Sequence, residues 1–348
     1  MRLRNMNTTT AITLSRTTRS PSVWIIALPF VQRAFRGGGA HQGRTCKICD
    51  EARVREDPVE WFPDYTDDRR LRMAMPNHLF FVRHGESQGN VASDRAKVGD
   101  ESLFTDEFVT IPGRRWELTE VGQRQAELAG AWLRAELERI GVVAGEPRHY
   151  ASPYVRTRQT AAFLGLPSAE WYLNRSIRER DWGDIETIPR RAFYEDPVYA
   201  RNSSKKSIDP LYWRPPGGES ISDVADNRVR NFLDTLHREC SGGTVIAVTH
   251  GEFIRAARLV LERIDDETYT AWESDPTARI HNAEVIQYSR VDVREAVGTG
   301  EVQSRLGFLR RVRPFAQEDR VQVSDWHAIV YARPSSAELL ADDHSHSK

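Results

Sequence analysis

Acidic residues are missing from the first 49 positions of this 348-residue chain, which hold eight basic ones: Arg2, Arg4, Arg16, Arg19, Arg33, Arg36, Arg44 and Lys47. Lysine is scarce throughout, five of the 49 basic residues. Three cysteines exclude a disulfide framework and fit a reducing compartment. The one apolar run of the head, Val23 to Val31, is broken by Pro29 and falls short of the roughly 20 residues that span a bilayer. There is no G-x-x-x-x-G-K-[ST] phosphate loop, no H-E-x-x-H, no EF-hand pattern and no paired metal-carboxylate motif, so no metal or nucleotide cofactor is expected. Net charge is −1, which excludes a globally basic nucleic-acid binder. No internal repeat occurs.

What is present is an ordinary folded composition, 39% hydrophobic and 9% aromatic. Residues 1–50 carry no packing signal. They read as a dispensable head, or as sequence upstream of a true start at Met73 or Met75, in preference to a targeting segment. Cys46-x-x-Cys49, with His41 nearby, has no second cysteine pair to complete a structural zinc site. Residues 51–75 are charged and Pro-containing, a solvated linker. A catalytic domain is expected over 76–315, followed by an extension, 316–348, whose polar end with His344 and His346 reads as disordered. The expected compartment is cytoplasmic, with targeting by the basic head as the alternative.

Between residues 76 and 290, short apolar runs alternate with helical patterns. His78 to Val82 and Gly243 to Thr249 suit strands buried on both faces. Thr119 precedes Ala126, Ala129, Leu133, Leu137 and Ile140 on one helical face, with Gly141 as the stop. His149 to Ala151 is a short strand, and Ser152-Pro153 reads as the start of a helix reaching about Leu164. Ser220 to Asp223 resembles a capping box ahead of Val224, Val229, Phe232, Leu233 and Leu236. Phe253 to Ile264 forms another amphipathic helix, and Ala283 to Ser289 a late strand. Cys240 reads as packing at a helix end. The alternation argues an α/β fold, a three-layer α/β/α sandwich around a mainly parallel sheet.

Two of these strands end alike, in His84-Gly85 and in His250-Gly251. Ligands of open parallel sheets bind at such carboxyl ends. Arg83, beside His84, is a cation that is costly to bury without an anion to pair with.

Arg83-His84-Gly85-Glu86-Ser87 with Asn90 resembles the signature of the histidine phosphatase superfamily, the phosphoglycerate mutase-like group. Five further segments agree in order: Leu118-Thr119-x-x-Gly122-x-x-Gln125-Ala126, Ser152 to Thr160 with Arg156, Ile177 to Gly183 with Glu179, Pro216 to Ser220, and Val248-Thr249-His250-Gly251. The resemblance implies a phosphoglycerate mutase-like fold and a phosphohistidine on His84. It implies a clamp of Arg83, Arg156 and His250 on the phosphoryl oxygens, and Glu179 as proton donor to the leaving group. Asn90 and Thr249 would be further contacts to the phosphate or to His84. Glu86 is read as an orienting residue, and Ser87 is left without a role.

The glycolytic mutases carry Trp-Asn after R-H-G-E-S, whereas this chain has Gln88-Gly89-Asn90. Ile185 and Thr187 depart from the Trp-Glu-Gly of many phosphatases. The expectation is therefore a metal-independent phosphatase acting on a small phosphorylated metabolite, with no nucleic acid or membrane partner and homo-oligomerisation left open. The alternatives are mutase-type phosphoryl transfer and a catalytically weak phospho-ligand-binding or signalling member. The segment Asp196 to Leu211, with Lys205 and Lys206, is read as a substrate lid.

Overall fold

Alternate side chains of the strand β1 (His78–Arg83) pack on opposite sides of a sheet, and all four from Leu79 to Val82 are fully buried. The computed structural model describes residues 74–292, 301–331 and 335–336. The basic head, Cys46 and Cys49, the linker up to residue 73 and the His344/His346 tail lie outside the described residues.

The further strands are β2 (Arg148–Ala151), β3 (Trp171–Leu173), β4 (Thr244–Thr249), β5 (Val285–Ser289), β6 (Phe308–Phe315), β7 (Arg320–Val323) and β8 (His327–Ala328). They form one sheet in the order β3-β2-β4-β1-β5-β6-β7, with β8 also on β6. The first four in that order pair in parallel. Beyond β1 every pairing is antiparallel, so β6 again points the way of β1, and five of the eight strands share one direction.

The helices are α1 (Gln88–Lys97), α2 (Asp106–Thr110), α3 (Glu120–Arg139), α4 (Val155–Phe163), α5 (Arg190–Glu195), α6 (Pro197–Ile208), α7 (Ile221–Asp223), α8 (Arg230–Glu239), α9 (Gly251–Glu262) and α10 (Asp266–Trp272). A π-helical stretch, Val224–Val229, joins α7 to α8. On one face Phe80, Val82, Ile246 and Val248 meet Ala129 and Leu133 of α3 and Ala161 of α4. On the other, Leu79, Phe81, Val245 and Ala247 meet Phe232 and Leu236 of α8 and Phe253 and Ala257 of α9. This is the three-layer α/β/α sandwich that the alternation argued. No helix among the described residues is long and apolar enough to cross a membrane.

The local signals act as expected at α3. Thr119 caps it by accepting from the Gly122 amide (3.0 Å), and Gly141 beyond its end takes φ +74°. Ser220 and Asp223 close a capping box at α7. Cys240 is buried at the end of α8, 3.7 Å from the Tyr150 hydroxyl. Elsewhere the structure differs. Ser152-Pro153 does not start a helix: Ser152 extends the β2 backbone, its amide donating to Val248 O (3.0 Å), and α4 begins at Val155. The sheet also continues past residue 315, because β7 and β8 complete the ladder on β6. The alternation of β6, on which they pair, was masked by the basic run Arg310-Arg311-Val312-Arg313, where Arg310 is drawn inward by Glu136 at 2.6 Å.

Candidate active site

The pairing register brings the two histidines together. β1 and β4 are neighbours at the sheet centre, with Arg83 opposite Thr249, so the next residue of each strand is a histidine. The His84 amide donates to Thr249 O (2.9 Å), and the two rings lie with centroids 5.2 Å apart, edge to face. Both are buried. Gly85 must be glycine here, since a Cβ on it would lie 2.3 Å from Gly122 O.

Arg156, in the first turn of α4, ties the pair into one unit. Its Nε donates to His84 Nε2 (3.1 Å), one terminal nitrogen to His250 Nδ1 (3.1 Å), and the other to Gly113 O (2.7 Å). A guanidinium only donates, so both imidazole nitrogens must accept. His84 Nδ1 sits 2.7 Å from Gly85 O, and a carbonyl only accepts. The proton of His84 is thereby fixed on Nδ1 and its lone pair on Nε2. In His250 the arrangement is reversed: Nδ1 accepts, and Nε2–H faces Ser152 Oγ at 2.8 Å. Burial, reinforced by Arg156, pushes both histidines well below the usual imidazole pKa. Both are neutral before ligand binds.

Glu179 reaches the same point from the loop after β3. Its Oε2 is 3.8 Å from His250 Nδ1 and 4.0 Å from Arg156, while Oε1 accepts from the Arg180 amide (3.0 Å). Burial raises its pKa, against the opposing pull of Arg156. Arg83 donates to Ile280 O (2.6 Å), and its Nε is buried with no acceptor. An anion at the mouth of the site would satisfy that orphan. One ligand atom from each of His84, Glu179 and His250 lies within 4.8 Å of the others, a spacing that three metal ligands share. Arg156, however, already occupies the accepting nitrogens of both histidines.

The remaining sequence candidates divide. Asn90, at the start of α1, has its Oδ1 filled by the Ser87 amide (3.1 Å), the Ser87 hydroxyl (3.0 Å) and Asn282 Nδ2 (2.9 Å). That leaves its NH2 group as the available donor, and Asn90 lines the cavity above His84. Thr249 contacts His84 through its carbonyl, which accepts from the His84 amide, and not through its side chain. Its hydroxyl donates to Ile177 O (2.7 Å) and so tethers the Glu179 loop to β4. Glu86 also faces away, accepting from the Thr119 hydroxyl (2.7 Å) at the start of α3. Lys206 of the expected lid lines the cavity; Lys205 does not.

Three residues to which the sequence assigns no role in the site belong to it. Ser152 holds the His250 tautomer, and Asn282 holds Asn90 and reaches His84 O at 3.4 Å. Arg180, 4% exposed, anchors the acid loop through Glu219 O (2.6 Å), Trp213 O (2.9 Å) and Glu252 (3.4 Å). The signal available for Arg180 was only its place in a charged run, which usually marks a solvated face.

The site opens into a cavity of about 620 Å³. One aromatic wall is Phe104, Phe108 and Trp116, the last two stacked at 5.3 Å and nearly parallel. Trp182, Phe193 and Trp213 also line it, and α5, which carries Phe193, packs against α1.

The profile of the histidine phosphatase superfamily (branch 1) matches residues 79–291. Among relatives, the phosphoglycerate mutase-like protein AT74 of Arabidopsis thaliana is 30% identical over 177 residues, which cover 47% of this chain and 48% of that one. The chain thus spans about half the length of that relative. A 2,3-bisphosphoglycerate-dependent phosphoglycerate mutase of Methylorubrum populi is 29% identical over 57% of this chain and 85% of its own. Of solved structures, a mycobacterial glucosyl-3-phosphoglycerate phosphatase complexed with VO3 superimposes with TM-score 0.45 and 23% identity over 61% of this chain and 92% of that one.

Proposed function

The chain belongs to the histidine phosphatase superfamily, and from that premise we propose that it hydrolyses a phosphate monoester through a phosphohistidine on His84, with Glu179 as general acid and base. The observation that carries this reading is the fixed tautomer of His84. Its Nδ1 proton is held by Gly85 O, and its Nε2 lone pair points to Arg156 beneath an open cavity.

In the first step Arg156 Nε gives up its hydrogen bond to His84 Nε2 for a phosphoryl oxygen, the freed lone pair attacks phosphorus, the bond to the leaving oxygen breaks, and the Glu179 proton goes to that oxygen. The raised pKa of Glu179 supports its protonated form in this role. Arg83 and Arg156 hold the equatorial oxygens, where charge spreads in a loose transition state. The Asn90 amide adds a neutral donor. His250, neutral at rest, gains positive character as the phosphoryl dianion approaches. In the second step the Glu179 carboxylate takes a proton from water, the water oxygen attacks phosphorus, and the P–N bond breaks with its electron pair returning to Nε2. Inorganic phosphate leaves.

The clamp is made of guanidinium groups, so the reading needs no metal. Purified protein should release phosphate from 4-nitrophenyl phosphate at the same rate with and without EDTA. His84→Ala should lose at least about 10³-fold, as expected when a covalent nucleophile is removed. Turnover that survives this substitution would overturn the assignment. Interconversion of 2- and 3-phosphoglycerate after priming with 2,3-bisphosphoglycerate, faster than phosphate release, would favour the mutase alternative instead.

A further inference from the structure

We propose that the alcohol half of the substrate is bulky, aromatic or otherwise extended and apolar, and carries no second anionic group. This rests on the phosphatase reading only for where the phosphate sits, at the Arg83–His84–Arg156 pole.

The volume points away from a three-carbon acid. About 620 Å³ lies in the range that holds drug-sized ligands. The lining holds six aromatic residues, of which Phe104, Phe108, Trp116 and Trp182 are partly exposed and Phe193 and Trp213 are buried behind them. The partly exposed rings, above all the stacked Phe108 and Trp116, suit a flat apolar guest, which gains both from burial and from ring contacts.

Charge closes the argument. Away from the phosphate pole the cavity is lined by four basic residues, Lys97, Lys206, Arg255 and Arg279, against five acidic ones. Three of these cations are already matched. Lys97 lies 2.5 Å from Asp94, Arg279 3.9 Å from the same carboxylate, and Arg255 2.6 Å from Glu273. Lys206 instead rests over aromatic rings, its Nζ 5.4 Å from the Trp213 centre and 5.9 Å from that of Trp182. Glu252 is in turn matched by the buried Arg180 at 3.4 Å and by Arg255 at 3.6 Å, so with Arg180 counted the charges at this end balance. A second phosphate or carboxylate would find no surplus of positive charge there to offset its desolvation, unlike the phosphate pole with Arg83 and Arg156.

Binding of non-hydrolysable phosphonates to the full chain tests this without relying on turnover. Calorimetric titration should give 3-(2-naphthyl)propylphosphonate a Kd at least tenfold lower than propylphosphonate. 3-Phosphonopropionate, which adds a carboxylate, should bind no tighter than propylphosphonate. Phe108→Ala should shrink the naphthyl advantage, with circular dichroism checking that the variant folds. Equal Kd values for the aryl and alkyl ligands, a preference for 3-phosphonopropionate, or no binding by any of the three would each overturn the proposal. Tight aryl binding with no hydrolysis of the matching phosphate ester would sink the phosphatase reading and leave the pocket assignment standing.

Discussion

A single guanidinium that donates to two imidazoles sets the protonation of both, and with it the pH behaviour of the site. His84 is held well below the ordinary histidine pKa, so its nucleophilic lone pair persists on acidification below pH 6.5. Glu179 is held above the ordinary carboxyl value, so the donor form persists as pH rises past 4.5. The kcat/KM profile should therefore be a bell, its acid limb from His84 and its alkaline limb from Glu179. Glu179→Gln removes the acid. In kcat/KM, which reports formation of the phosphoenzyme, it should cost about 10²–10⁴-fold on an alkyl phosphate and much less on 4-nitrophenyl phosphate, whose leaving group needs no proton. Stability moves the other way. A folded pKa above the unfolded one means that the stabilising contribution of Glu179 is complete below the unfolded pKa and is lost as pH rises through the folded one. At pH 7–8 the Gln variant should match or exceed the parent in Tm, which separates loss of chemistry from loss of fold.

At the scale of elements, the Glu179 loop depends on a clasp. The segment Pro216 to Glu219 lies against it, with the Asp184 amide on Pro216 O and the Glu219 amide on Asp181 O, each at 2.9 Å. Gly183 makes this approach at φ +54°, where a Cβ would lie 2.1 Å from Pro216 O. Gly183→Ala should lower stability by about 1–3 kcal/mol from backbone strain alone, read as a drop in Tm. It should also reduce turnover of alkyl phosphates more than of aryl ones, because the loop carries the proton donor. Much of this element was legible beforehand. Glu179, Gly183 and the Pro216 to Ser220 motif stood in the right order, and Arg83, His84, Arg156 and His250 meet as the resemblance implied. Arg180 and Thr249 were not legible in their actual partners, since a buried arginine and a surface one read alike in a charged run. Likewise, no short-range signal tells a threonine hydroxyl at a strand end whether it faces a ligand or the backbone of a loop some 70 residues away.

For the whole molecule, the sheet is the unit that truncation must respect. The central strands were clear because each is continuously apolar, whereas β3 is three residues long and β6 is interrupted by arginines whose partners lie on α3 and across the sheet. A chain of residues 74–336 should keep kcat/KM within about twofold of the full chain, a limit of roughly 0.4 kcal/mol in transition-state stabilisation. Ending it at 315 removes β7 and β8 and exposes the β6 edge, and unpaired edges invite aggregation. That shorter chain should show lower Tm and self-association by light scattering.

The juxtaposition of His84 and His250 is written into the register of β1, the central strand in the order, on its neighbour β4. The nucleophile and its partner should therefore separate only when the middle of the sheet opens, which makes hydrolysis of 4-nitrophenyl phosphate, whose leaving group needs no proton, a gauge of global unfolding. In a urea titration, loss of phosphate release should coincide with loss of ellipticity, and the amide of His84, bonded to Thr249 O, should exchange its hydrogen only at the rate at which the entire domain unfolds.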